Sequence, residues 1–309
     1  MENEQLYTIK AVAHKTGLSA HVIRAWEKRY RAIEPVRTSS NRRMYTELEV
    51  HRLALLRTAI SAGHSIGRIA RLPEDALRTL VESAEPAVLQ DGGVKSEEQR
   101  DVSVKGRLDA CINAITRLDG HELELILMRS SIALSQPVLI DELIVPLIQK
   151  IGDHWRNGTL RIVHEHLASN VLRTFLANMR SAFEIPETAA RMIVTTPSGQ
   201  LHELGALIAS VVAVSEGWHV TYLGPNLPAE EIGTAVNKNH ARVLALSLVY
   251  PTEDPRLVQE LSKLRRIIPG ETSIMVGGRA TSSYASTLQK MGAQVITDFA
   301  NLRNILETI

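Results

Sequence analysis

Residues 185–309 show the feature that most constrains the fold, an alternation of short β-rich runs with segments of helical periodicity. Five apolar runs each precede a helical pattern: Met192–Thr196, His219–Leu223, Val243–Val249, Ile274–Val276 and Gln294–Thr297. Repeated strand–helix units predict a parallel, doubly wound sheet of the flavodoxin-like, Rossmann-type class. Ligands of such sheets bind at the carboxyl ends of the strands, so chemistry is expected in the loops that follow them.

The preceding region, residues 104–184, carries apolar residues at helical spacing through four segments. Short breaks separate these segments at Asp119-Gly120, Gln136-Pro137 and Asn157-Gly158. Helices with such short connections predict an antiparallel four-helix bundle. Residues 83–103 contain Pro, Gly-Gly and mixed charge, a composition typical of a linker. The sequence therefore predicts a multidomain α + α/β protein with a head, a linker, a helical bundle and an α/β domain, at residues 1–82, 83–103, 104–184 and 185–309.

Charge is distributed unevenly along the chain. Residues 1–73 contain thirteen Lys and Arg against six Asp and Glu, so the rest of the chain is acidic although the net charge is +1. Neutralisation of phosphates is the main source of affinity for DNA. A basic head on an acidic body therefore indicates a nucleic-acid contact confined to the N-terminal region. The alternative is a chance clustering of charge in a small domain.

The head has the sequence signals of a helix-turn-helix followed by a third helix. Thr8 can cap a first helix that stops at Gly17, and Ser19 can cap the next one. Thr46 and Glu49 form a capping box for the third helix. A Ser-Ser-Asn turn before this box predicts a short β-wing.

The second helix and the wing supply the candidate DNA contacts. Trp26 and Tyr30 lie one helical turn apart and are expected to be core residues. The head closely resembles the MerR-type winged helix-turn-helix, through Trp26, Arg29, Tyr30, Pro35, Arg37, Arg42, Arg43, Tyr45 and Gly63-His64-Ser65-Ile66. In that family the second helix enters the major groove and the wing arginines contact phosphate. The polar positions of this helix and the resemblance together indicate binding of double-stranded operator DNA by His21, Arg24, Lys28, Arg29, Arg37, Arg42, Arg43 and Tyr45.

Three short motifs follow strands of the α/β region. His202-Glu203-Leu204-Gly205 comes after the first strand, Ser247-Leu248-Val249 ends the third, and Gly277-Gly278 ends the fourth. Their order and spacing resemble the corrinoid-binding signature His-x-x-Gly, Ser-x-Val, Gly-Gly. The resemblance implies cobalamin as cofactor, with His202 as the axial ligand of its cobalt. The resemblance places five further residues around the nucleotide tail: Gly205, Ser247, Val249, Gly277 and Gly278.

Gln200 is a departure from this signature. The family often has an acidic residue two positions before the histidine, where a carboxylate would orient the imidazole and raise its basicity. An amide can orient the ring but donates less electron density. Axial ligation by His202 is therefore expected to be weaker or to rely on Ser198.

The helical region carries a further resemblance. Trp155 is followed, after nine intervening residues, by Glu165-His166, as in the cap domains of the CarH/LitR group of light-responsive regulators. The resemblance implies a pocket for the adenosyl group of adenosylcobalamin, because a planar ring and a carboxylate suit an apolar ligand with ribose hydroxyls. Its expected contacts are Trp155, Ile162, Glu165 and His166.

Arg156 is a departure in this second motif. Light-sensing members of the group carry a histidine there, which captures cobalt once light breaks the cobalt–carbon bond. Arginine stays protonated and has no free lone pair for a metal. His154 precedes the tryptophan but projects away from position 156, so it is a poor substitute. Light sensing is therefore left open by the sequence.

These features favour a non-enzymatic, DNA-binding transcriptional regulator. By resemblance it is expected to be a repressor, in which adenosylcobalamin promotes assembly of a homo-oligomer, a tetramer, on its operator. One alternative is a corrinoid carrier or a component of a cobalamin-dependent enzyme, which would leave the basic head unexplained. Another is a regulator with a vestigial cobalamin site, which the departures from the family motifs at Gln200 and Arg156 allow.

Composition excludes other classes. No apolar run approaches the ~20 residues of a membrane span, so no membrane contact is expected. The single cysteine, Cys111, excludes an internal disulfide framework and suits a cytoplasmic protein. No nucleophile–base pair, P-loop or catalytic carboxylate dyad stands out.

Overall fold

A computed structural model of the chain describes residues 6–18, 20–38, 43–61, 64, 66–83, 97–181, 183 and 185–309. The chain divides into two compact units, Met1–Val171 and Leu172–Ile309. The first unit contains the head and most of the helical region, and the second contains the α/β region. None of the helices in the described ranges is both long and apolar enough to cross a membrane.

The head combines short helices with a three-stranded antiparallel sheet of order β1-β3-β2. The strands are β1 (Tyr7–Thr8), β2 (Val36–Arg37) and β3 (Arg43–Tyr45). The helices are α1 (Ile9–Thr16), α2 (Ala20–Ala25, continued by a π-helical turn over Trp26–Tyr30), α3 (Glu47–Ser61), α4 (Ile66–Ile69) and α5 (Glu74–Ser83).

The predicted caps define the helix boundaries of the head. The Thr8 hydroxyl accepts the N–H three residues further on, and Gly17 ends α1 in the left-handed conformation with φ 66°. The capping box is also confirmed, because Thr46 N–H donates to Glu49 at 2.8 Å and Glu49 N–H donates to Thr46 Oγ1 at 3.3 Å. Ser19, the cap predicted for α2, lies outside the described residues.

Trp26 and Tyr30 pack in the core of the head, as predicted. Trp26 is buried, and Tyr30 is partly buried against the same cluster. Ile132 of the helical region joins this core, so the head and that helix share apolar packing within the first unit.

The helical region contains four helical segments, as predicted. They are α6 (Glu97–Thr116), α7 (Gly120–Ala133), a segment that runs through α8 (Gln136–Val138), a π-helical turn (Leu139–Ile144) and α9 (Val145–Arg156), and α10 (Ile162–Ser181). Helix α6 begins inside the predicted linker, at residue 97 rather than 104. The reason is that residues 97–100, Glu-Glu-Gln-Arg, are good helix formers, although they lack the apolar periodicity used to place the boundary. Residues 84–96 of that linker lie outside the described ranges.

Cys111 lies in the core of the helical region, as expected, and burial raises the pKa of its thiol to about 12. The reactive thiolate is therefore nearly absent at neutral pH. We expect no reaction of the native protein with Ellman's reagent at pH 8, and one thiol titrated per chain in guanidinium chloride. A Cys111→Ala variant should give no signal in either state. Rapid labelling of the native protein would contradict this burial.

The α/β region is a five-stranded parallel sheet of order β5-β4-β6-β7-β8, the flavodoxin-like arrangement that the sequence predicts. The strands are β4 (Arg191–Thr195), β5 (His219–Tyr222), β6 (Val243–Ser247), β7 (Ser273–Gly277) and β8 (Gln294–Ile296). The helices are α11 (Leu204–Ser215), α12 (Ala229–Asn239), α13 (Pro255–Ile267), α14 (Ala285–Lys290) and α15 (Phe299–Leu306). Strand β6 ends two residues earlier than expected, so Leu248 and Val249 belong to the loop after it.

Candidate functional site

The predicted histidine lies in the loop between β4 and α11, at the carboxyl edge of the sheet. His202 is exposed there, and its ring meets the ring of Tyr250 edge-on, with centroids 6.2 Å apart and planes at 86°. Tyr250 belongs to the loop after β6. Because β4 and β6 are neighbours in the sheet, loops that are distant in sequence meet at His202.

Close packing requires a glycine at position 278 and leaves little room for a side chain at position 205. A Cβ on Gly205 would lie 3.0 Å from Ser247 Oγ, and a Cβ on Gly278 would lie 2.2 Å from the carbonyl oxygen of Leu248. Gly278 also has φ +106°, a conformation that L side chains rarely adopt. Gly277 differs, since a Cβ there would make only an ordinary 3.7 Å contact with Ile296. The packing of the protein therefore does not itself require a glycine at position 277.

Ser247 is a buried hydroxyl at the end of β6, and Val249 is half-buried in the following loop. The structure thus brings together the signature residues His202, Gly205, Ser247, Val249 and Gly278. They place an exposed imidazole at the same edge of the sheet as closely packed glycines and a buried hydroxyl. These residues fit a ligand that has a metal at one end and a flat nucleotide tail at the other.

A single histidine is also consistent with a metal that arrives inside its own macrocycle. Within the described ranges, no group of three or more His, Cys, Asp or Glu side chains could hold a metal ion. A protein-built cage needs several donors, whereas a corrin supplies the equatorial nitrogens itself and needs only an axial ligand.

Gln200 has a different role from the one its sequence position suggested. Its side chain is buried, and its Oε1 accepts hydrogen bonds from the N–H groups of Val249 at 2.7 Å and Tyr250 at 3.0 Å. Its Nε2 donates to the carbonyl oxygen of Pro251 at 3.1 Å. The amide therefore binds the backbone of the β6 loop, which corrects the expectation that it orients the imidazole. Ser198, the other residue considered for that role, is half-buried.

Glu203, directly after His202, forms a second cluster that sequence reasoning missed. Its carboxylate accepts hydrogen bonds from Tyr222 Oη and Arg173 Nε. Arg180 lies over the Tyr222 ring, 5.4 Å from its centroid. Burial and the bond to Glu203 raise the pKa of Tyr222 above its usual value. The cluster joins the C-terminal half of α10 to the loop that carries His202. No sequence motif predicts these contacts.

In the helical region, Trp155 at the end of α9 is 51% exposed and Ile162 in the first turn of α10 is 61% exposed. Together with Gly158, Leu160, Arg161 and Val163 they line a surface pocket. Glu165 is half-buried and accepts a hydrogen bond from Ser169 at 2.7 Å, and His166 is exposed. Trp155 is therefore not a core residue, and Trp155 and Ile162 share one pocket.

The candidate DNA contacts that the structure describes in the head differ in exposure. Lys28 and Arg37 are exposed, and Arg24 is half-buried. Arg43 instead pairs with Glu27 at 2.7 Å, with only 12% and 15% of the two side chains exposed, and Tyr45 is fully buried. Arg43 and Tyr45 are thus structural, because β3 turns both side chains toward the body of the head. The side chains of His21 and Arg29, and all of Arg42, lie outside the described residues.

A phosphate contact by exposed Lys28 can be separated from these structural roles. Lys28→Ala is expected to weaken binding to duplexes of any sequence and to lower the salt slope of log K by about 0.9 for each bound head. Its unfolding curve should match that of the wild type. Fluorescence anisotropy of a mixed-sequence duplex over a salt series measures the slope. An unchanged salt slope would show that Lys28 does not contact phosphate. Lys150→Ala in the helical region is the matched control and should leave the slope unchanged.

Comparison with known proteins identifies three family matches. Residues 7–75 match the MerR HTH family regulatory proteins, and residues 107–179 and 190–301 each match a B12 binding domain. The first match covers the head described above. The other two cover the helical region with Trp155 and the α/β region with His202.

Two relatives align over nearly the whole chain. The HTH-type transcriptional repressor CarH of Myxococcus xanthus is 29% identical over 292 residues, which cover 94% of this chain and 95% of that protein. The HTH-type transcriptional repressor CarA of the same organism is 27% identical over 292 residues, covering 93% and 91%.

Among solved structures, the Methanosarcina barkeri monomethylamine corrinoid protein aligns with a TM-score of 0.55 at 14% identity. The alignment covers 66% of this chain and 99% of that protein, and it shows a shared fold.

Proposed function

We propose that adenosylcobalamin controls the assembly and operator binding of this chain, which is a MerR-type transcriptional regulator with cobalamin-binding domains. The observation that carries the proposal is the exposed His202 at the carboxyl edge of the sheet, where Gly277 and the buried Ser247 end neighbouring strands. The same polypeptide carries a basic helix-turn-helix head. A ligand-binding domain and a DNA-binding domain in one chain are the parts that a ligand-controlled regulator needs.

The α/β residues would hold the lower side of the cofactor. His202 would give a ring-nitrogen lone pair to cobalt, and the buried Ser247 hydroxyl would bind a ring nitrogen of the nucleotide base. Gly277, where a Cβ would meet no protein atom closer than 3.7 Å, would leave the backbone beside the nucleotide tail without a side chain. Bound adenosylcobalamin would supply a cobalt ion for the imidazole of His202 to bind and a cobalt–carbon bond that can be broken.

The helical region would contact the adenosyl group through Trp155, Ile162, Glu165 and His166. Two large apolar side chains more than half exposed in one pocket support this, because exposed apolar surface often marks a binding site. Arg156 forms an ion pair with Asp153 and offers no lone pair to cobalt. Any response to light would therefore use a different ligand from the histidine of light-sensing regulators.

The names of the relatives support repression as part of the proposal, and the small size of the head supports oligomerisation. CarH and CarA are both transcriptional repressors, and we propose repression here. One small head makes few phosphate contacts, so joining several heads in a tetramer would supply affinity by multivalency. This chain would then work without catalysis.

A corrinoid carrier is the second candidate, and the fold shared with a corrinoid protein favours it. The exposed Lys28 and Arg37 of the head suit DNA binding, and a corrinoid carrier would not need them. The two functions differ in a direct way, because only a regulator changes its DNA affinity when cobalamin binds.

The test is reconstitution with adenosylcobalamin in the dark, followed by size-exclusion chromatography with light scattering and a DNA-binding titration on the promoter of its own gene. We expect retained pigment, a larger assembly than the apoprotein and tighter DNA binding. Dissociation under green light would add light as the trigger, and unchanged size under light would limit the function to cobalamin sensing. A colourless protein would contradict the proposal, and retained pigment without any change in DNA binding would favour the carrier.

A further inference from the structure

We infer that Gln200 is a positioning residue for cobalt ligation, which sets the location of His202 by joining the β4 loop to the β6 loop. The inference rests on the proposed function, since it concerns how the chain holds a cobalamin. In related signatures a carboxylate orients the imidazole by direct contact. Here the amide of Gln200 would orient it indirectly, by holding the backbone of the neighbouring loop.

The side chain of Gln200 is fully engaged by the β6 loop. Its oxygen accepts two N–H groups, from Val249 and Tyr250, and its nitrogen donates to the Pro251 carbonyl. With 1% exposure it has no water to replace these partners. Loss of the amide would remove the acceptor of the Val249 and Tyr250 N–H groups and one of the two donors to the Pro251 carbonyl, which loosens the β6 loop against the β4 loop.

The other side of the β4 loop is held by the loop after β5. Asn226 Oδ1 accepts the N–H of Gly199 at 2.8 Å, and Thr196 Oγ1 accepts the N–H of Asn226 at 2.8 Å. The Thr196 hydroxyl also donates to the carbonyl oxygen of Gln200. Residues 196–200 are thus bonded on both sides, and His202 follows two residues later on an exposed segment.

Tyr250 links the amide to the imidazole. Gln200 fixes the N–H of Tyr250, and the Tyr250 ring lies edge-on to His202. Movement of the β6 loop would therefore move the aromatic neighbour of the imidazole as well as the Val249 backbone. The Tyr250 ring thus borders the imidazole of His202 on one side.

The test uses full-length protein labelled with nitrogen-15 histidine, loaded with hydroxocobalamin and reduced to the cobalt(II) state. Electron paramagnetic resonance then reports the axial nitrogen, because labelled histidine splits each cobalt line into a doublet and the unlabelled nucleotide base does not. Equilibrium dialysis gives the affinity, and circular dichroism of the apoprotein gives the fold.

Gln200→Met keeps the size of the side chain and removes its polar contacts. We expect a reduced doublet fraction and a cobalamin affinity lower by about 10–100-fold, the effect typical of groups that orient a metal ligand. Tyr250→Ala should also reduce the doublet, whereas Tyr250→Phe keeps the ring and should match the wild type. If Gln200→Met does not fold, the two Tyr250 variants carry the test.

Gln200→Glu separates the inference from direct orientation of the imidazole. A carboxylate still accepts the two N–H groups but cannot donate to Pro251, so we expect no gain in histidine coordination. A doublet fraction and affinity above those of the wild type would instead indicate direct contact. That gain, or a wild-type spectrum in both Gln200→Met and Tyr250→Ala, would overturn the inference while leaving the proposed function intact. A wild-type protein that binds no cobalamin would overturn both.

Discussion

His202→Ala is expected to lower cobalamin affinity by at least about 100-fold, because it removes the only proposed bond between protein and cobalt. Since the side chain is exposed, the apoprotein should keep its fold and thermal stability. DNA binding by the variant should no longer respond to adenosylcobalamin. Dialysis and DNA titration measure the two effects.

The matched control for this variant is His121→Ala, which removes another exposed histidine, at the start of α7. It should bind cobalamin as the wild type does. A His202→Ala protein that keeps wild-type affinity and still responds to cobalamin would show that the ligand is held without axial histidine.

Gly278→Ala is expected to destabilise the α/β region by roughly 3 kcal/mol or more. The alanine would have a strained backbone φ angle, and its Cβ would also overpack the neighbouring backbone. The new Cβ would lie 2.2 Å from the Leu248 carbonyl oxygen. That carbonyl is fixed, because it accepts the Ala280 N–H at 3.1 Å while the Leu248 N–H donates to Gly277 at 2.8 Å. The clash is with backbone and cannot be relieved by a side-chain rotation. Urea unfolding followed by circular dichroism measures the loss.

Gly277→Ala is the control for this second prediction. Its φ is not left-handed and its new Cβ would only touch Ile296 at 3.7 Å, so the apoprotein should lose less than about 1 kcal/mol. If a nucleotide tail occupies the adjacent space, the same change should weaken cobalamin binding. Equal destabilisation by the two alanines would contradict the difference between a backbone clash at position 278 and an ordinary contact at position 277.

The two glycines illustrate a limit of motif reading. Both belong to one signature, yet only Gly278 is required by the packing of the protein itself. The packing of the protein does not account for Gly277. Measuring both the stability and the cobalamin affinity of the two alanine variants therefore separates a structural role from a ligand-binding role for each glycine.

Much of the fold was predictable because its determinants are local. Helix caps such as Thr8 and the Thr46–Glu49 box act within three residues, and the alternation of apolar runs with helical segments reflects fixed periods of side-chain direction. Parallel strands with helical crossovers allow few topologies, so the strand order also followed. The linker boundary at residue 104 was less accurate, because a polar helix such as the start of α6 carries no apolar period.

The sequence by itself determined the domain classes and the residues of the corrinoid signature, since these depend on residue type and spacing. Only the tertiary structure decided the partners of Gln200, 49 to 51 residues away in the chain, and the cluster of Glu203 with Tyr222 and Arg173. It also decided that Arg43 is paired and nearly buried while Trp155 is half exposed. The physical reason is that hydrogen-bond partners and exposure depend on which distant segments pack together, and local propensity carries no information about that.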